Sequence, residues 1–320
     1  MKRVALGTTG RNVSALALGC LQFCRATEEA SRAVVIRAFE LGIDFYDTAD
    51  VYGWRDGIPG QSEEVLGTAL REGGIPRDQI VVASKCGIVQ VGMEKAYSYK
   101  AYDLSPDYIK ASCEASLQRL GMEYLDLYQF HRIDYLAHPE ETARALEDLK
   151  AEGKIRHAGV SNHTPDEIRA LAAHTRLESL QTEFSLLHLE PLETGLTSVC
   201  MEHKMALLCW APLHRGALAT GGPLSHADWQ EQREQGAIVQ MQAFADAYGI
   251  TLGQLALAWL MQLPGGVVPL VGTINPQHLT EAAGAVEVQL DRDDWYELMT
   301  IARGRPMPWG QRPFAYLKER

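Results

Sequence analysis

Several features are scarce or missing from this sequence, and each absence excludes something. It has six cysteines (Cys20, Cys24, Cys86, Cys113, Cys200 and Cys209), but no C-x-x-C pair and no histidine at zinc-finger spacing from any of them. A structural zinc site and a dithiol redox motif are therefore not expected, and the cysteines read as reduced, small core residues. No G-x-G triplet occurs anywhere, so the glycine fingerprint of a doubly wound dinucleotide-binding sheet is missing. The most apolar stretch, residues 250–263, stops at Pro264-Gly265-Gly266, which is too short to span a bilayer and reads as a buried helix. Basic charge is in deficit: 30 Lys and Arg against 41 Asp and Glu give a formal net charge of -11. That argues against non-specific nucleic-acid binding, although an anionic cofactor depends only on local charge. The first ten residues, MKRVALGTTG, carry two basic residues with no apolar core behind them. They do not read as a secretory signal, and a cytoplasmic location is expected. There is no Ser- or Gly-rich linker and no low-complexity segment.

What remains is an ordinary globular composition, 46% hydrophobic and 22% charged over 320 residues. The middle of the chain repeats one unit: a short apolar run, a loop, then an amphipathic helix. Phe45-Tyr46-Asp47 precedes a helix expected from Ser62, with Glu63 and Glu64 at the positive end of its dipole. Ile80 to Ala83 precedes a helix announced by Ser105-Pro106-Asp107. Leu125 to Phe130 precedes one near Pro139, and His157 to Val160 precedes one opened by the capping box Thr164-Pro165-Asp166-Glu167. Met205 to Trp210 and Val267 to Val271 read as later strands. Ile109, Cys113, Leu117 and Leu120 line one helix face, as do Val34, Val35, Ala38 and Leu41. Repeated strand–helix units imply a parallel sheet, and about eight of them suit an eight-stranded barrel of roughly 250 residues plus extensions. An open doubly wound sheet is the alternative, disfavoured by the missing fingerprint. The expectation is one α/β domain, residues 1–320, folded as a (β/α)8 TIM barrel with long loops at its C-terminal face. The longest irregular stretches, 86–104, 212–230 and the tail 304–320, read as loops or lids.

Four polar residues fall at or just past the ends of three expected strands. Asp47 ends FYD, Tyr52 follows in DTADVYG, Lys85 ends VVASK and His131 ends DLYQFH. In one barrel all four can converge at the C-terminal mouth. Each alone has an ordinary structural use: Asp as a cap, Tyr in packing, Lys as surface charge. Together they make sense as a proton-transfer site. A tyrosine hydroxyl has a pKa near 10, high for acid–base work at neutral pH; an adjacent ammonium lowers it, and an aspartate holds that ammonium. A histidine can orient a substrate carbonyl. Cys86 follows Lys85 directly, but strand alternation turns it to the opposite side, so it reads as inert.

With those residues in place the chain resembles the aldo-keto reductase family along nearly its whole length, most closely a bacterial oxidoreductase subgroup. The matching segments, in order, are RVALGTTGRNVSALALG, DTADVYG, VVASK, DLYQFHR, GKIRHAGVSNH, LQTEFSLLH, CWAPLHRGALATG and VVPLVGTINPQHL. The resemblance implies the same barrel with an N-terminal β-hairpin, and a nicotinamide cofactor bound without a Rossmann fold. It implies Tyr52 as the general acid in carbonyl reduction, Lys85 and Asp47 as its tuning pair, and His131 as the group that orients the carbonyl. It assigns Ser161, Asn162 and Gln181 to the nicotinamide carboxamide and Trp210 to stacking on the ring. The pyrophosphate loop would be Pro212, Leu213, Arg215 and Gly216. Gly19, Cys20, Leu21, Asp47, Ala211, Gly272, Thr273, Asn275, His278 and Glu281 complete the expected cofactor contacts.

Two departures bear on the cofactor. Ala211 stands where Ser is common, so one hydroxyl is missing. The segment after the last strand, residues 272–278, has no Lys or Arg, and Ala282 stands where Asn is common. A 2′-phosphate would depend on Thr273, Asn275, His278 and a helix N-terminus. Family membership favours NADP(H), and the missing basic clamp admits NAD(H). Expected substrate walls are Phe23, Cys24, Trp54, Tyr97, Tyr99, Tyr102 and Trp309, an aromatic lining that suits a small aldehyde or ketone, aromatic or sugar-derived. The expected partner is a small carbonyl substrate, with no metal, nucleic acid or membrane. Two alternatives are an NAD(P)+-dependent sugar or alcohol dehydrogenase and a non-catalytic, cofactor-binding regulatory subunit.

Overall fold

A parallel strand covered on both faces has to be apolar nearly throughout, and the strands of this chain are. The computed structural model of the protein describes residues 1–53, 58–91, 99–220 and 229–306. Its strands are β1 (Arg3–Ala5), β2 (Asn12–Ser14), β3 (Ala17–Gly19), β4 (Phe45–Asp47), β5 (Val81–Cys86), β6 (Ile88–Val91), β7 (Tyr99–Tyr102), β8 (Leu125–Phe130), β9 (Ile155–Ser161), β10 (Leu177–Glu183), β11 (Ala206–Trp210) and β12 (Val267–Val271). Its helices are α1 (Glu28–Glu40), α2 (Gln61–Glu72), α3 (Pro106–Leu120), α4 (Pro139–Ala151), α5 (Pro165–Ala172), α6 (Glu190–Glu193), α7 (Leu196–Glu202), α8 (Ala217–Thr220), α9 (Trp229–Tyr248), α10 (Leu252–Met261), α11 (Pro276–Gly284) and α12 (Arg292–Arg303).

Eight strands close into a parallel barrel in the order β3-β4-β5-β8-β9-β10-β11-β12, with β12 pairing back to β3. This is the (β/α)8 TIM barrel, with the β1–β2 antiparallel hairpin before it. Side chains alternate with period two. Phe45, Val81, Ala83, Leu127, Ala206, Leu208, Val268 and Leu270 form a core inside the barrel, and Leu6 and Val13 of the hairpin region join it. Their neighbours Tyr46, Val82, Tyr128, Val160, Leu207 and Val271 point outward into the larger core beneath the helices. Toward the C-terminal end the inward positions turn polar: Asp47, Lys85, Gln129, Ser161 and Gln181, all buried. The interior thus has an apolar floor and a polar ceiling.

Local signals explain most helix starts. Thr164 makes the expected capping box with Glu167, and Thr251 makes a second with Gln254. Four expectations are revised. Helix α2 begins at Gln61, after Gly60 in a left-handed conformation (φ 81°), and not at Ser62. Ser62 is buried instead, donating to the Cys20 carbonyl (2.7 Å) and lying 3.0 Å from Thr48 Oγ1. Glu63 does more than complement the dipole: buried, it accepts from Arg119 Nε (2.7 Å) and from Ser84. Ser105 precedes α3 without a side-chain cap. The stretch 86–104 holds two strands: β6 and β7 pair antiparallel, Ile88 with Tyr102 and Val91 with Tyr99. Val and Tyr favour extended backbone, and this hairpin follows directly from β5 at the mouth of the barrel. No helix among the described residues is long and apolar enough to cross a membrane.

Candidate active site

The barrel's polar ceiling is where the four sequence-selected residues meet. Asp47 ends β4, Lys85 is the fifth residue of β5, Tyr52 lies in the loop after β4 and His131 immediately follows β8. Lys85 is 0% exposed. Its Nζ donates to Asp47 Oδ2 (2.6 Å), to the Thr48 carbonyl (2.7 Å) and to Tyr52 Oη (3.3 Å). The three ammonium protons are thereby all directed. The rings of Tyr52 and His131 meet edge to face, centroids 5.8 Å apart.

The electrostatics differ in one respect from the sequence-based expectation. Burial by itself pulls the Lys85 ammonium down, but Asp47 and Tyr52 outweigh it and hold the pKa above the ordinary lysine value. Tyr52 was expected to be lowered. Burial pushes it up, the Lys85 ammonium pulls it down, Asp47 pushes it up again, and the net result lies above the ordinary tyrosine value. In this structure Tyr52 is therefore a protonated phenol beside a charged lysine, ready to donate. Cys86 faces the helix-side core, and burial pushes its thiol well up.

The second oxygen of Asp47 is also held. Oδ1 accepts from Gln181 Nε2 (2.8 Å) and from Gln129 Nε2 (3.4 Å). Gln129 in turn accepts from Ser179 Oγ at 3.3 Å. Neither Gln129 nor Ser179 was singled out from the sequence. The signal was there: each lies two residues before a selected residue (His131, Gln181), and in a strand that means the same face.

Asn162 ties strand ends together. Its Nδ2 donates to the His131 carbonyl (3.2 Å) and Ser161 Oγ (2.7 Å), and its Oδ1 accepts from Trp210 Nε1 (3.0 Å). It does so at φ 57°, and Ala211, His214 and Arg215 also have φ between 47° and 55°. Left-handed backbone is costly for such residues and is tolerated where surroundings enforce it, often at binding sites. The loop 211–216 is braced by His214 Nε2 against the buried Glu234 Oε2 of α9 (3.2 Å) and by Arg215 against Glu183 (3.8 Å).

The other expected contacts are placed as follows. Gly19 ends β3, and Gly272 immediately follows the neighbouring strand β12. Cys20 is fully buried, its amide donating to the Asp47 carbonyl (2.8 Å), while Leu21 is 55% exposed beside it. Pro212 is buried, and Trp210, Ala211, Leu213 and Gly216 are half-buried. Thr273 Oγ1 accepts from the Asn275 amide (3.0 Å), and Asn275 caps α11 through the Gln277 amide (2.9 Å). His278 is exposed, and Glu281 accepts from Thr251 Oγ1 (2.8 Å). One basic residue reaches α11 from elsewhere: Arg37 of α1 donates to Thr280 Oγ1 (2.9 Å) and pairs with Glu40 (3.0 Å).

The substrate walls fare less well. Phe23 is 0% exposed and packs in the outer core, so it does not face the mouth. Cys24 is half-buried and Tyr102 is exposed. Trp54, Tyr97 and Trp309 lie outside the described residues, as does the side chain of Tyr99. No cluster of metal-ligating side chains occurs among the described residues.

The model of the aldo/keto reductase family matches residues 15–303. The chain belongs to the aldo/keto reductase family. It is an oxidoreductase. This family member is 35% identical over 310 residues to a 6-dehydroglucose reductase of Novosphingobium aromaticivorans, a match that covers 95% of this chain and 96% of the relative. It is 33% identical over 301 residues to the NADP(+) aldo-keto reductase yakc of Schizosaccharomyces pombe, covering 87% and 85% of the two chains. Among solved structures, a glycerol dehydrogenase of Gluconobacter oxydans superposes with a TM-score of 0.82 at 24% identity, over 95% of this chain and 97% of that one. That likeness speaks to the shared fold.

Proposed function

We propose that this aldo/keto reductase, acting as one barrel unit, reduces aldehydes and ketones to alcohols with a nicotinamide cofactor. The observation that carries the reading is the fully buried Lys85 ammonium held between Asp47 and the Tyr52 hydroxyl. A phenol held protonated next to a fixed positive charge suits proton donation: the charge stabilises the phenolate as it forms. Tyr52 gives its proton to the carbonyl oxygen, Lys85 stabilises the resulting phenolate, and Asp47 keeps the ammonium charged and aimed. His131 orients the carbonyl. Tyr52 in its acid form is the state that reduction starts from, the same residues serve oxidation in reverse, and four assembled side chains argue against a purely regulatory subunit.

The bound cofactor supplies the hydride. The residues at the mouth are suited to hold one. Ser161, Asn162 and Gln181 present polar groups at the ends of β9 and β10, Trp210 offers an aromatic edge of the same rim, and the strained loop 211–216 is braced on two sides. At the far end, the α11 N-terminus has no Lys or Arg beside it in 272–282. The Thr273 hydroxyl and the Asn275 side chain are engaged in capping, and Arg37 is engaged by Glu40. We therefore read the cofactor preference as NADP(H) with substantial use of NAD(H). The named activity of the Novosphingobium relative makes a sugar-derived carbonyl the first substrate class to test. Loss of NADPH absorbance with a panel of aldehydes, ketones and oxidised sugars tests the whole reading. Tyr52→Phe is expected to abolish turnover while leaving cofactor fluorescence titrations unchanged; full activity in that variant overturns it.

A further inference from the structure

We infer that Gln129, with Ser179 behind it, is a positioning residue for this reaction: the two hold the Asp47 carboxylate in the orientation that aims Lys85 at Tyr52. The inference rests on the reading of Tyr52 as proton donor and adds a layer beneath it.

The barrel register supplies the geometry. Lys85 of β5 is the register partner of Gln129 of β8, Gln129 of Gly159 of β9, and Gly159 of Ser179 of β10. Four inward positions on four adjacent strands therefore lie at one level. The level above, two residues on along three of those strands, holds His131, Ser161 and Gln181. Side chains on β8 and β10 are separated by β9 and ordinarily cannot touch. Here they do, because their common partner is a glycine. A β-carbon on Gly159 would lie 2.2 Å from Ser179 Oγ and 3.3 Å from Gln129 Cγ. The missing side chain is the passage through which Ser179 Oγ reaches Gln129 Oε1 (3.3 Å).

The direction of each bond follows from chemistry. An ionised carboxylate only accepts, so Gln129 must turn its Nε2 toward Asp47 Oδ1 and its Oε1 away. An amide that points this way needs a donor on its far side, and the Ser179 hydroxyl supplies one. Gln129 and Ser179 are both 0% exposed, so no bulk water substitutes for either bond. The chain of donors runs Ser179 to Gln129 to Asp47 from one side and Lys85 to Asp47 from the other. Oδ1 is pinned by two amides, which leaves Oδ2 to the ammonium at 2.6 Å.

The test uses the full-length protein with Gln129→Met, a near-isostere without polar atoms, and Ser179→Ala, which removes one oxygen. Tyr52 is faced by Lys85 from β5, Asp47 from β4, Cys20 from just past β3 and His131 from just past β8. If Asp47 loosens, the ammonium is no longer aimed at the phenol, and Tyr52 keeps its proton to higher pH. We expect the single-turnover reduction rate of Gln129→Met to fall roughly tenfold, as for one lost hydrogen bond to a charged group. Its high-pH limb should move upward by about half a unit or more, while NADPH affinity stays within about twofold. Ser179→Ala should move the same quantities the same way by less. A folded Gln129→Met with an unchanged rate and an unmoved limb overturns the inference. So does a slower variant whose limb is unmoved and whose cofactor affinity falls in step, since that outcome marks general disorder. Tyr52→Phe run alongside separates the levels. If it turns over normally, the proton-donor reading itself has failed; if it is inactive while Gln129→Met behaves as wild type, only the positioning inference falls.

Discussion

Lys85→Met is the substitution whose consequence can be worked furthest. It removes a unit positive charge 3.3 Å from the Tyr52 oxygen and 2.6 Å from Asp47, at a site with no exposed surface. With an effective dielectric of about 20, a full charge pair at that separation is worth on the order of 5 kcal/mol. The phenolate is about half formed in the transition state, and Asp47 already screens part of the ammonium, so roughly 2–3 kcal/mol of transition-state stabilisation is at stake. That corresponds to a loss of about 30- to 200-fold in rate. Stability also suffers, because buried Asp47 loses its ion partner; breaking a buried pair typically costs about 3–5 kcal/mol. Gln181 and Gln129 still donate to Asp47, which places the cost at the low end. The assay is single-turnover NADPH oxidation followed by absorbance, repeated with cofactor deuterated at the transferred position, so that chemistry and not product release is observed. Cofactor affinity is measured separately by fluorescence quenching and should be unchanged. The pH profile adds a sign: without the ammonium the phenol ionises at still higher pH, so the high-pH limb of reduction moves upward. A folded Lys85→Met whose single-turnover rate stays within about threefold of wild type would refute the argument.

Other expectations are simpler to check. The ratio of kcat/KM for NADPH over NADH should fall well below a thousandfold at physiological salt, given that residues 272–282 include no Lys or Arg; a ratio above that would show that a phosphate grip has been overlooked. Burial lowers the pKa of His163, whose Nδ1 lies 2.9 Å from the Ser161 carbonyl. A group lowered in the folded state contributes stability that is complete above the unfolded histidine value of about 6.5 and is lost as pH falls below it. Urea midpoints should therefore drop between pH 7.5 and 5.5, and His163→Gln should shrink that drop; an unaltered pH dependence would show that another group is responsible. Gly67→Ala places a methyl carbon 2.2 Å from the Leu120 carbonyl oxygen, forcing α2 from the end of α3. A loss of about 1–3 kcal/mol is expected. Gly236→Ala, with open space around it inside α9, should instead gain about 0.5–1 kcal/mol, and a reversed order of melting temperatures would contradict both.

The barrel strands were readable because a parallel strand covered on both faces is a short apolar run, and each expected run lies within or beside an observed one. The four site residues were readable for a related reason: a polar residue that ends an apolar run is conspicuous. Gln129 and Ser179 were not, because they sit inside such runs, where a single polar residue looks like a minor interruption. Their importance depends on which strands neighbour which, and on Gly159 being the register partner of both. Phe23 was expected among the substrate walls, but its burial in three dimensions shows it packed in the core. The β6–β7 pairing was hidden because two four-residue strands offer too little alternation to register. The net position of Tyr52 could not be foreseen either. A neighbouring ammonium is visible in sequence, while the burial that outweighs it is a property of the assembled site.

The gradient along the barrel axis separates two kinds of selectable trait. The floor, built from Leu6, Val13, Phe45, Val81 and Leu127, contains no group that can touch a reactant. The ceiling contributes little apolar packing. Sequence drift in the lower half is therefore filtered chiefly by lifetime, and drift in the upper half chiefly by rate. A laboratory evolution campaign could harden one end of this molecule and retrain the other as nearly independent exercises, with the hydrogen-bonded layer of Gln129 and Ser179 marking the border between them.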